Sequence, residues 1–324
     1  MGTNPNIYKS VPTWINMVYH EVRKVNGSNQ NYLIFNSREN GKWIKKSKFI
    51  GTGSVSKEKL EKLKKEFEIE ILCSMASENL SKEQILEIES LKKIYHEKVQ
   101  LLSKEEFEIF ENTFFTELTY DSNAIEGSSL SLADTNLILN EGLVPEGKTL
   151  REINEAKNHR EAINFIENYR GDLNELFILR LHFIILKDIS EKFAGRYREN
   201  PVRIFKSDVG FPDYEKVPQL VKNLVYWYKL NKFKMHPLEL AVTFSMKLVS
   251  IHPFVDGNGR ISRLIMNFLL KKKGYPWINI YMKQRVEYLK SVRKANDEQY
   301  KSILEFCIKS LKENLESFNM INKS

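Results

Sequence analysis

The segment 250–263 contains the residue types best suited to chemistry: a histidine, a carboxylate and a glycine-rich turn. The His252 side chain titrates near neutral pH, so it could serve as a general base. Asp256 offers a hard oxygen that could hold Mg²⁺ on a phosphate. Gly257 and Gly259 bracket a turn that opens an apolar-periodic helix, and such a turn presents free N–H groups and the positive end of the helix dipole. The segment therefore predicts an anion site suited to phosphate.

Two arginines on the first turn of that helix fit the same interpretation. Arg260 and Arg263 are three residues apart, so their side chains lie near one face of the helix. Two guanidinium groups beside such a turn can grip a polyphosphate through paired hydrogen bonds. Cations at a helix N-terminus oppose the dipole, so they have no stabilising role there. A second His–Pro pair, at 236–237, lacks these companions and is interpreted as a plain helix start.

Most of the chain must be helical to position this segment. From Ser56 onward, apolar residues recur at helical spacing, which makes the expected fold class mainly α. One helix is predicted to begin near Glu105 and to end at about residue 127. Further helices are predicted at 151–169, 173–187, 214–230, 237–250, 259–272 and 285–311.

The segment 1–54 has a different pattern, rich in β-branched and aromatic residues. Strands at 14–25, 31–36 and 42–50, separated by Asn-Gly pairs at 26–27 and 40–41, predict a small N-terminal β module. Aromatic and basic residues alternate along it: Tyr32, Trp43, Lys45, Lys46 and Lys48. This interleaving is compatible with a nucleic-acid or target-docking surface, and a plain packing module is the alternative.

Composition limits the class of protein. Of 324 residues, 42% are hydrophobic and 28% are charged, which excludes a disordered chain. Two cysteines, Cys73 and Cys307, are too few for a disulfide framework or a zinc site. No signal-peptide or membrane-spanning pattern is present, so we expect a cytoplasmic protein. The net charge of +8 favours anionic partners.

The segment 252–263 resembles the signature of Fic-domain enzymes, His-Pro-Phe-x-Asp/Glu-Gly-Asn-Gly-Arg-x-x-Arg, at every fixed position. The resemblance covers about 107–311 and implies a Fic-type helical bundle with a β-hairpin flap. It implies transfer of AMP from ATP to a hydroxyl side chain of a target protein. By the same resemblance, His252 would deprotonate that hydroxyl and Asp256 would bind Mg²⁺.

The resemblance also implies a role for each remaining residue of the signature. The Asn258 side chain and the Gly257 and Gly259 backbone would hold the α- and β-phosphates. Arg260 would assist there, and Arg263 would take the γ-phosphate.

A second motif lies upstream, where Ser122 and Glu126 share a helix face and Gly127 is a natural helix end. It resembles the inhibitory motif Ser/Thr-x-x-x-Glu-Gly/Asn of the Fic class with an N-terminal inhibitory helix. The resemblance implies that Glu126 pairs with Arg263 where the γ-phosphate would bind, and that Ser122 hydrogen-bonds near Asn258. A self-inhibited enzyme is therefore expected, and in some relatives the same glutamate supports removal of AMP.

The stretch 195–212, which begins Gly-Arg-Tyr-Arg, resembles the Fic flap. Val202, Arg203, Ile204 and Phe205 alternate as in a strand that could pair with an extended segment of the target. A capping loop is the alternative.

Downstream, Tyr288 and Asn296 lie where Fic proteins tend to build the adenine and ribose pocket, although helical spacing also fits Tyr288 as a core residue. The expected organisation is a β module at 1–54, a helical connector at 55–103, a Fic domain with its inhibitory helix at 104–313, and a tail at 314–324.

Expected partners are a target protein with a Ser, Thr or Tyr hydroxyl, the chain itself through automodification, and a second copy in a homodimer. The sequence leaves two alternatives open. One is a nucleotide- or nucleic-acid-binding regulator, although such a protein would need no base at His252. The other is a Fic transferase with a different donor, such as UTP or a phosphocholine carrier. The loop would contact the phosphates of the donor and not its base, so it does not select the donor.

Overall fold

The computed structural model describes residues 18–39, 42–74, 77–202 and 210–321 of the chain. An antiparallel sheet forms the start of the described chain, with strand order β1-β2-β3: β1 (Val18–Val25), β2 (Ser28–Glu39) and β3 (Lys42–Thr52). Asn26 and Gly27 adopt left-handed backbone angles, with φ of 49° and 77°, as an Asn-Gly hairpin turn requires. The predicted turn at 40–41 and the predicted strand residues 14–17 lie outside the described residues.

One face of the sheet packs on helix α1 (Lys57–Ser74). The small core between them contains Val18, Leu33, Phe35, Phe67 and Ile71. The Ser56 hydroxyl accepts a hydrogen bond from the Lys59 N–H at 3.3 Å, as expected of an N-cap.

The basic residues of the sheet are divided between its two faces. Lys48 pairs with a glutamate of α1, and Lys46 donates to a serine of α1 at 2.7 Å. Lys45 and Tyr32 lie on the opposite face, where Lys45 pairs with a glutamate of β1 at 3.1 Å. The side chain of Trp43 lies outside the described part. Although aromatic and basic residues alternate in the sequence, these lysines therefore do not form one basic surface.

Helices make up most of the described chain after the sheet. They are α2 (Lys82–Leu101), α3 (Lys104–Ile125), α4 (Leu132–Asn136), α5 (Leu150–Asn168), α6 (Glu175–Leu186), α7 (Val217–Asn231), α8 (Pro237–Ile251), α9 (Asn258–Lys271), α10 (Arg285–Asn296) and α11 (Lys301–Ile321). The mainly α fold with a small N-terminal β module is confirmed. No helix of the described chain is both long and apolar enough to cross a bilayer.

The long helix predicted at 285–311 is wrong in one respect. The chain breaks between α10 and α11, where Glu298 adopts a left-handed backbone with φ of 59°. A residue in this conformation cannot continue a right-handed helix. At the other end, α11 continues past the expected boundary at 313, because Leu315 and Phe318 are buried there.

A single large core holds the helices that carry the signature. Phe177 of α6 stacks on Phe268 of α9 with ring centroids 4.3 Å apart, and both side chains are buried. Helices α8 and α9 belong to the same core and are joined directly by the loop 252–257. The position of that loop is therefore set by two well-packed helices.

A buried carboxylate attaches the segment before α2 to α8. Glu239 is fully buried, and it accepts hydrogen bonds from the Ser77 hydroxyl at 2.7 Å, the Asn79 N–H at 3.1 Å and the Asn79 side-chain amide at 2.9 Å. Buried carboxylates need such partners because desolvation disfavours their charge.

We expect Glu239→Gln to lower the free energy of unfolding by about 1–3 kcal/mol, since the amide cannot accept all three hydrogen bonds. Urea unfolding measures this. Glu298→Gln is the matched control, because the Glu298 side chain is 78% exposed, and it should change stability by less than about 0.5 kcal/mol. Equal effects of the two substitutions would contradict the anchoring role.

Candidate active site

The loop between α8 and α9 has a conformation that few residue types adopt. His252 ends α8 with left-handed angles, φ 50° and ψ 60°, while its N–H donates to the Leu248 carbonyl at 3.1 Å. Gly257 precedes α9 with φ of 80°. A Cβ at Gly257 would lie 3.3 Å from the Ile185 side chain, so both the backbone angle and the packing favour glycine.

Asn258 braces this loop from within. Its side-chain oxygen accepts from the Phe254 N–H at 3.0 Å, and its amide donates to the Phe254 carbonyl at 2.9 Å. The resemblance implied phosphate contacts for Asn258. In this structure both polar atoms of its side chain hydrogen-bond to the loop backbone, so Asn258 shapes the site, and its contact with phosphate stays a prediction.

His182 is a site residue that the sequence did not reveal. Its ring stacks on Phe254 at 3.7 Å, its Nδ1 accepts from the Gly195 N–H at 3.0 Å, and its Nε2 lies 3.3 Å from the Asp256 carbonyl. Burial lowers the pKa of His182 to about 4, so the ring is neutral at pH 7 and donates from Nε2. The one feature of the sequence that could have indicated His182 is that it is a lone histidine inside an apolar helix.

The carboxylate of Asp256 is held among positive groups. One oxygen lies 3.1 Å from Arg260 and 2.5 Å from the Gly257 N–H, and the other lies 2.6 Å from Arg151. Burial raises the pKa of Asp256, but Arg260, the Gly257 N–H and Arg151 together outweigh it and hold the pKa below its ordinary value. Arg260 is almost fully buried and also pairs with Glu155 at 3.3 Å.

The donor set at Asp256 fits Mg²⁺ bound together with a nucleotide. In the described part of the chain, no group of three or more His, Cys, Asp or Glu side chains could form a metal cage. Mg²⁺ is usually held by one or two carboxylates and completed by phosphate oxygens and water. A single ionised carboxylate beside a helix N-terminus meets that requirement.

Arg263 is buried and is engaged by the end of α3. Its Nη2 lies 2.8 Å from the Glu126 carboxylate and 2.9 Å from the Ser122 carbonyl, and its Nε donates to the Ser122 hydroxyl at 3.2 Å. Ser122 was expected to bond near Asn258. Its hydroxyl accepts from Arg263 instead, because the guanidinium lies directly against the last turn of α3.

The Glu126 carboxylate lies against the first turn of α9. A Cβ at Gly259 would overlap the Glu126 Oε1 atom, which shows how closely the carboxylate approaches this backbone. The first N–H groups of a helix lack partners within the helix and attract anions. Gly127, with φ of 106°, turns the chain away immediately afterwards. An internal carboxylate therefore lies where the sequence predicted a phosphate site.

Separate hydrogen bonds fix the end of α3. The Arg285 Nε donates to the Ile125 carbonyl at 2.8 Å. Asp121 is buried and accepts from the Asn279 amide and the Met282 N–H, both at 2.7 Å. The backbone that carries Glu126 is thus held independently of the contact with Arg263.

The imidazole of His252 is partly covered. Phe211 stacks on it with ring centroids 4.1 Å apart. Burial lowers the pKa of His252 to about 4, the charge of Arg198 adds to this effect, and Glu126 and Asp256 oppose it. The ring is therefore neutral at pH 7 and able to accept a proton.

Comparison with known proteins agrees with this geometry. The family model described as Fic/DOC family matches residues 172–270, which include His182 and the whole 252–263 segment. The region 172–270 is thus similar to Fic domains. It is 33% identical over 183 residues to protein adenylyltransferase fic-1 of Caenorhabditis elegans, which covers 55% of this chain and 36% of that protein. It is 31% identical over 205 residues to protein adenylyltransferase Fic of Nematostella vectensis, which covers 61% of this chain and 47% of that protein.

Solved Fic structures share the fold. A Fic-domain-containing signaling protein from Bacteroides thetaiotaomicron aligns with a TM-score of 0.67 and 27% identity, over 73% of this chain and 97% of that chain. Fic-1 from C. elegans aligns with a TM-score of 0.66 and 27% identity, over 74% of both chains. The chain spans only about a third to a half of the curated relatives' length.

The predicted flap of the Fic domain is only partly visible. Arg203, Ile204 and Phe205 lie outside the described residues, so the hairpin stays a prediction. Val202 and Phe211 lie near its two ends and are described.

The two residues assigned to a nucleoside pocket have other contacts here. Tyr288 is buried against Phe306 at 5.7 Å, and its ring centre lies 6.0 Å from the Arg263 guanidinium. The Asn296 side-chain oxygen accepts from the Ser250 hydroxyl at 2.8 Å. The contacts of Tyr288 are therefore those of a core residue, and its assignment to a nucleoside pocket stays a prediction.

We expect His182→Phe to lower the free energy of unfolding by roughly 1–3 kcal/mol, because it can keep the stack on Phe254 but leaves the Gly195 N–H unpaired. Urea unfolding at neutral pH measures this. An unchanged unfolding midpoint would show that the histidine does not secure the loop.

Proposed function

We propose that this chain is a self-inhibited protein adenylyltransferase that moves AMP from ATP to a hydroxyl side chain of a target protein. One observation carries the proposal: the Glu126 carboxylate lies in the anion site formed by Gly259, the start of α9 and Arg263. A site that attracts an internal carboxylate can attract a polyphosphate. The names of the curated relatives, protein adenylyltransferases, support the same activity.

Each group of the site has a task in this reaction. The target hydroxyl oxygen attacks the α-phosphorus, its proton passes to the neutral imidazole of His252, and the bond to the β-phosphate breaks to release pyrophosphate. The Gly257–Gly259 backbone and Arg260 hold the α- and β-phosphates, and Arg263 holds the γ-phosphate. Mg²⁺ bound at Asp256 would neutralise charge on the phosphates. Positioning and charge stabilisation therefore supply most of the catalysis.

Self-inhibition follows from competition between two anions. The γ-phosphate and the Glu126 carboxylate both require Arg263, and they cannot occupy the same space beside Gly259. The Glu126 side chain is 38% exposed, so it can rotate away without unfolding α3. The same carboxylate could orient a water molecule for the removal of AMP, which we propose as a second activity of this residue.

The division of Lys45, Lys46 and Lys48 between the two sheet faces argues against a nucleic-acid-binding surface there. The choice of nucleotide donor stays open beyond ATP. The signature residues would bind the phosphates, which different nucleotides share, and not the base. Cytoplasmic location, automodification and a homodimer remain proposals.

Labelling with ATP that is radioactive at the α-phosphate tests the proposed activity. We expect Glu126→Gly to increase protein labelling by about 5- to 150-fold, the range of typical coupling energies between sites. Adding His252→Ala to Glu126→Gly should reduce labelling by about 10²–10⁴-fold, because the general base is lost.

Two controls make the result specific. ATP labelled at the γ-phosphate should leave the protein unlabelled, and labelled UTP tests the donor. If Glu126→Gly gives no label with either nucleotide, in the presence of cell lysate as a source of targets, the proposed activity is wrong. Strong labelling that survives the loss of His252 would contradict its role as the base.

The contact of Arg151 with Asp256 predicts a change in magnesium dependence. In the Glu126→Gly background, Arg151→Ala should lower the Mg²⁺ concentration for half-maximal labelling by up to about fivefold, since exposed ion pairs contribute about 0–1 kcal/mol. Arg180→Ala, a change at an exposed residue of α6, should leave it unchanged. A higher Mg²⁺ requirement in Arg151→Ala would show that this arginine assists the metal.

A further inference from the structure

Arg198 is a buried arginine whose side-chain hydrogen bonds, among the described residues, go to backbone carbonyls. It is only 2% exposed and forms no ion pair within the described residues. Its Nε donates to the His252 carbonyl at 2.8 Å, and its Nη1 and Nη2 donate to the carbonyls of Asn200 at 3.3 Å and Pro212 at 2.5 Å. Its own N–H donates to the Pro253 carbonyl at 2.9 Å.

These four hydrogen bonds join three separate parts of the chain. Two of them hold the predicted flap stretch at Asn200 and at Pro212, before and after residues 203–209, and two hold the start of the signature loop. A guanidinium presents several donors in a rigid planar arrangement, so one side chain can fix several carbonyls at once. A lysine could not reproduce this geometry.

The two carbonyls at the start of the loop belong to neighbouring residues, His252 and Pro253. His252 has a left-handed backbone, which is unfavourable for a residue with a Cβ and persists only where the surroundings hold it. The hydrogen bonds from Arg198 to the His252 and Pro253 carbonyls, in two consecutive peptide groups, supply such restraint.

The contact with Pro212 reaches the imidazole by a second path. Phe211, directly before Pro212, stacks on the His252 ring with planes inclined by 26°. By holding the Pro212 carbonyl, Arg198 keeps Phe211 over the ring. The same guanidinium therefore restrains both the backbone of His252 and the aromatic cover of its side chain.

We infer that Arg198 is a positioning residue that aims the His252 imidazole, through the His252 carbonyl and through Phe211. The inference rests on the proposed function, because the orientation of the ring matters for catalysis only if His252 is the general base. A general base must lie within hydrogen-bond reach of the hydroxyl proton. Arg198 touches no reacting atom itself.

The surroundings of His252 set its pKa, so the inference can be tested by measuring that pKa. Burial lowers the pKa of the ring most, Arg198 lowers it further, and Glu126 and Asp256 raise it. Loss of Phe211 exposes the ring to water, and loss of Arg198 removes a nearby positive charge as well. Either change should move the pKa of His252 upward from about 4 toward its ordinary value of 6.5.

The first test uses kinetics of AMP transfer in the Glu126→Gly background. Arg198→Met should reduce kcat by about 10- to 100-fold, the effect of a small misplacement of a reacting group, with less than about a twofold change in KM for ATP. Arg198→Lys should recover only part of the loss. Arg180→Met, a change at an exposed arginine of α6, should match the parent. Parental kcat in Arg198→Met would overturn the inference.

The second test does not depend on activity. In the intact chain with ¹³C-labelled histidine, the His252 resonance is assigned by its loss in His252→Ala. We expect the parent ring to stay neutral from about pH 8 to pH 5, and Arg198→Met and Phe211→Ala to titrate with midpoints above about 5. Phe211→Ala removes no buried hydrogen bond, so it keeps the test valid if Arg198→Met does not fold.

The two tests separate the possible failures. If Glu126→Gly transfers no nucleotide but the His252 pKa rises in both variants, the proposed function fails and the positioning role stands. If transfer occurs and the pKa of His252 is the same in parent and variants, the positioning role is wrong.

Discussion

The contact between the Glu126 carboxylate and the Arg263 guanidinium, at the first turn of α9, constrains the rest of the site. Arg263 is buried, and a buried cation without a partner is strongly destabilising. Glu126 lies at the C-terminal end of its own helix, where a negative charge is unfavourable, yet it meets the positive end of another helix. Glu126 therefore supplies the negative partner that buried Arg263 needs, and Arg263 with the start of α9 supplies the positive charge that Glu126 needs. This pairing requires the last turn of α3 to pack against α9.

The surrounding structure holds the end of α3 independently of this contact. Asp121 and the Ile125 carbonyl hold the α3 backbone, so the carboxylate can leave by rotation of one side chain. Arg260 is paired with Asp256 and Glu155, whereas Arg263 is paired with Glu126, the carboxylate that the proposed function places in competition with the γ-phosphate. Under the proposed function, inhibition and catalysis use the same anion site with different occupants.

Local patterns predicted the fold and the signature well, and distant contacts account for what was missed. The Asn-Gly turn at 26–27, the helices and the glycine at 257 follow from backbone preferences that act within a few residues. His182, Arg198 and Phe211 act through carbonyls and rings far away in sequence, so no local spacing reveals them. The engagement of Asn258 by Phe254 and the break at Glu298 likewise depend on how the chain packs.

The most direct test of this account compares the affinities of the protein for ATP and for AMP, with Glu126 intact and with Glu126→Gln, by calorimetry in Mg²⁺. The glutamine has nearly the same shape without the charge. If the carboxylate and the terminal phosphate compete for Arg263, Glu126→Gln tightens ATP binding and leaves AMP binding unchanged. Equal changes for both nucleotides, or no change for ATP, would contradict the claim that Glu126 occupies the site of the terminal phosphate.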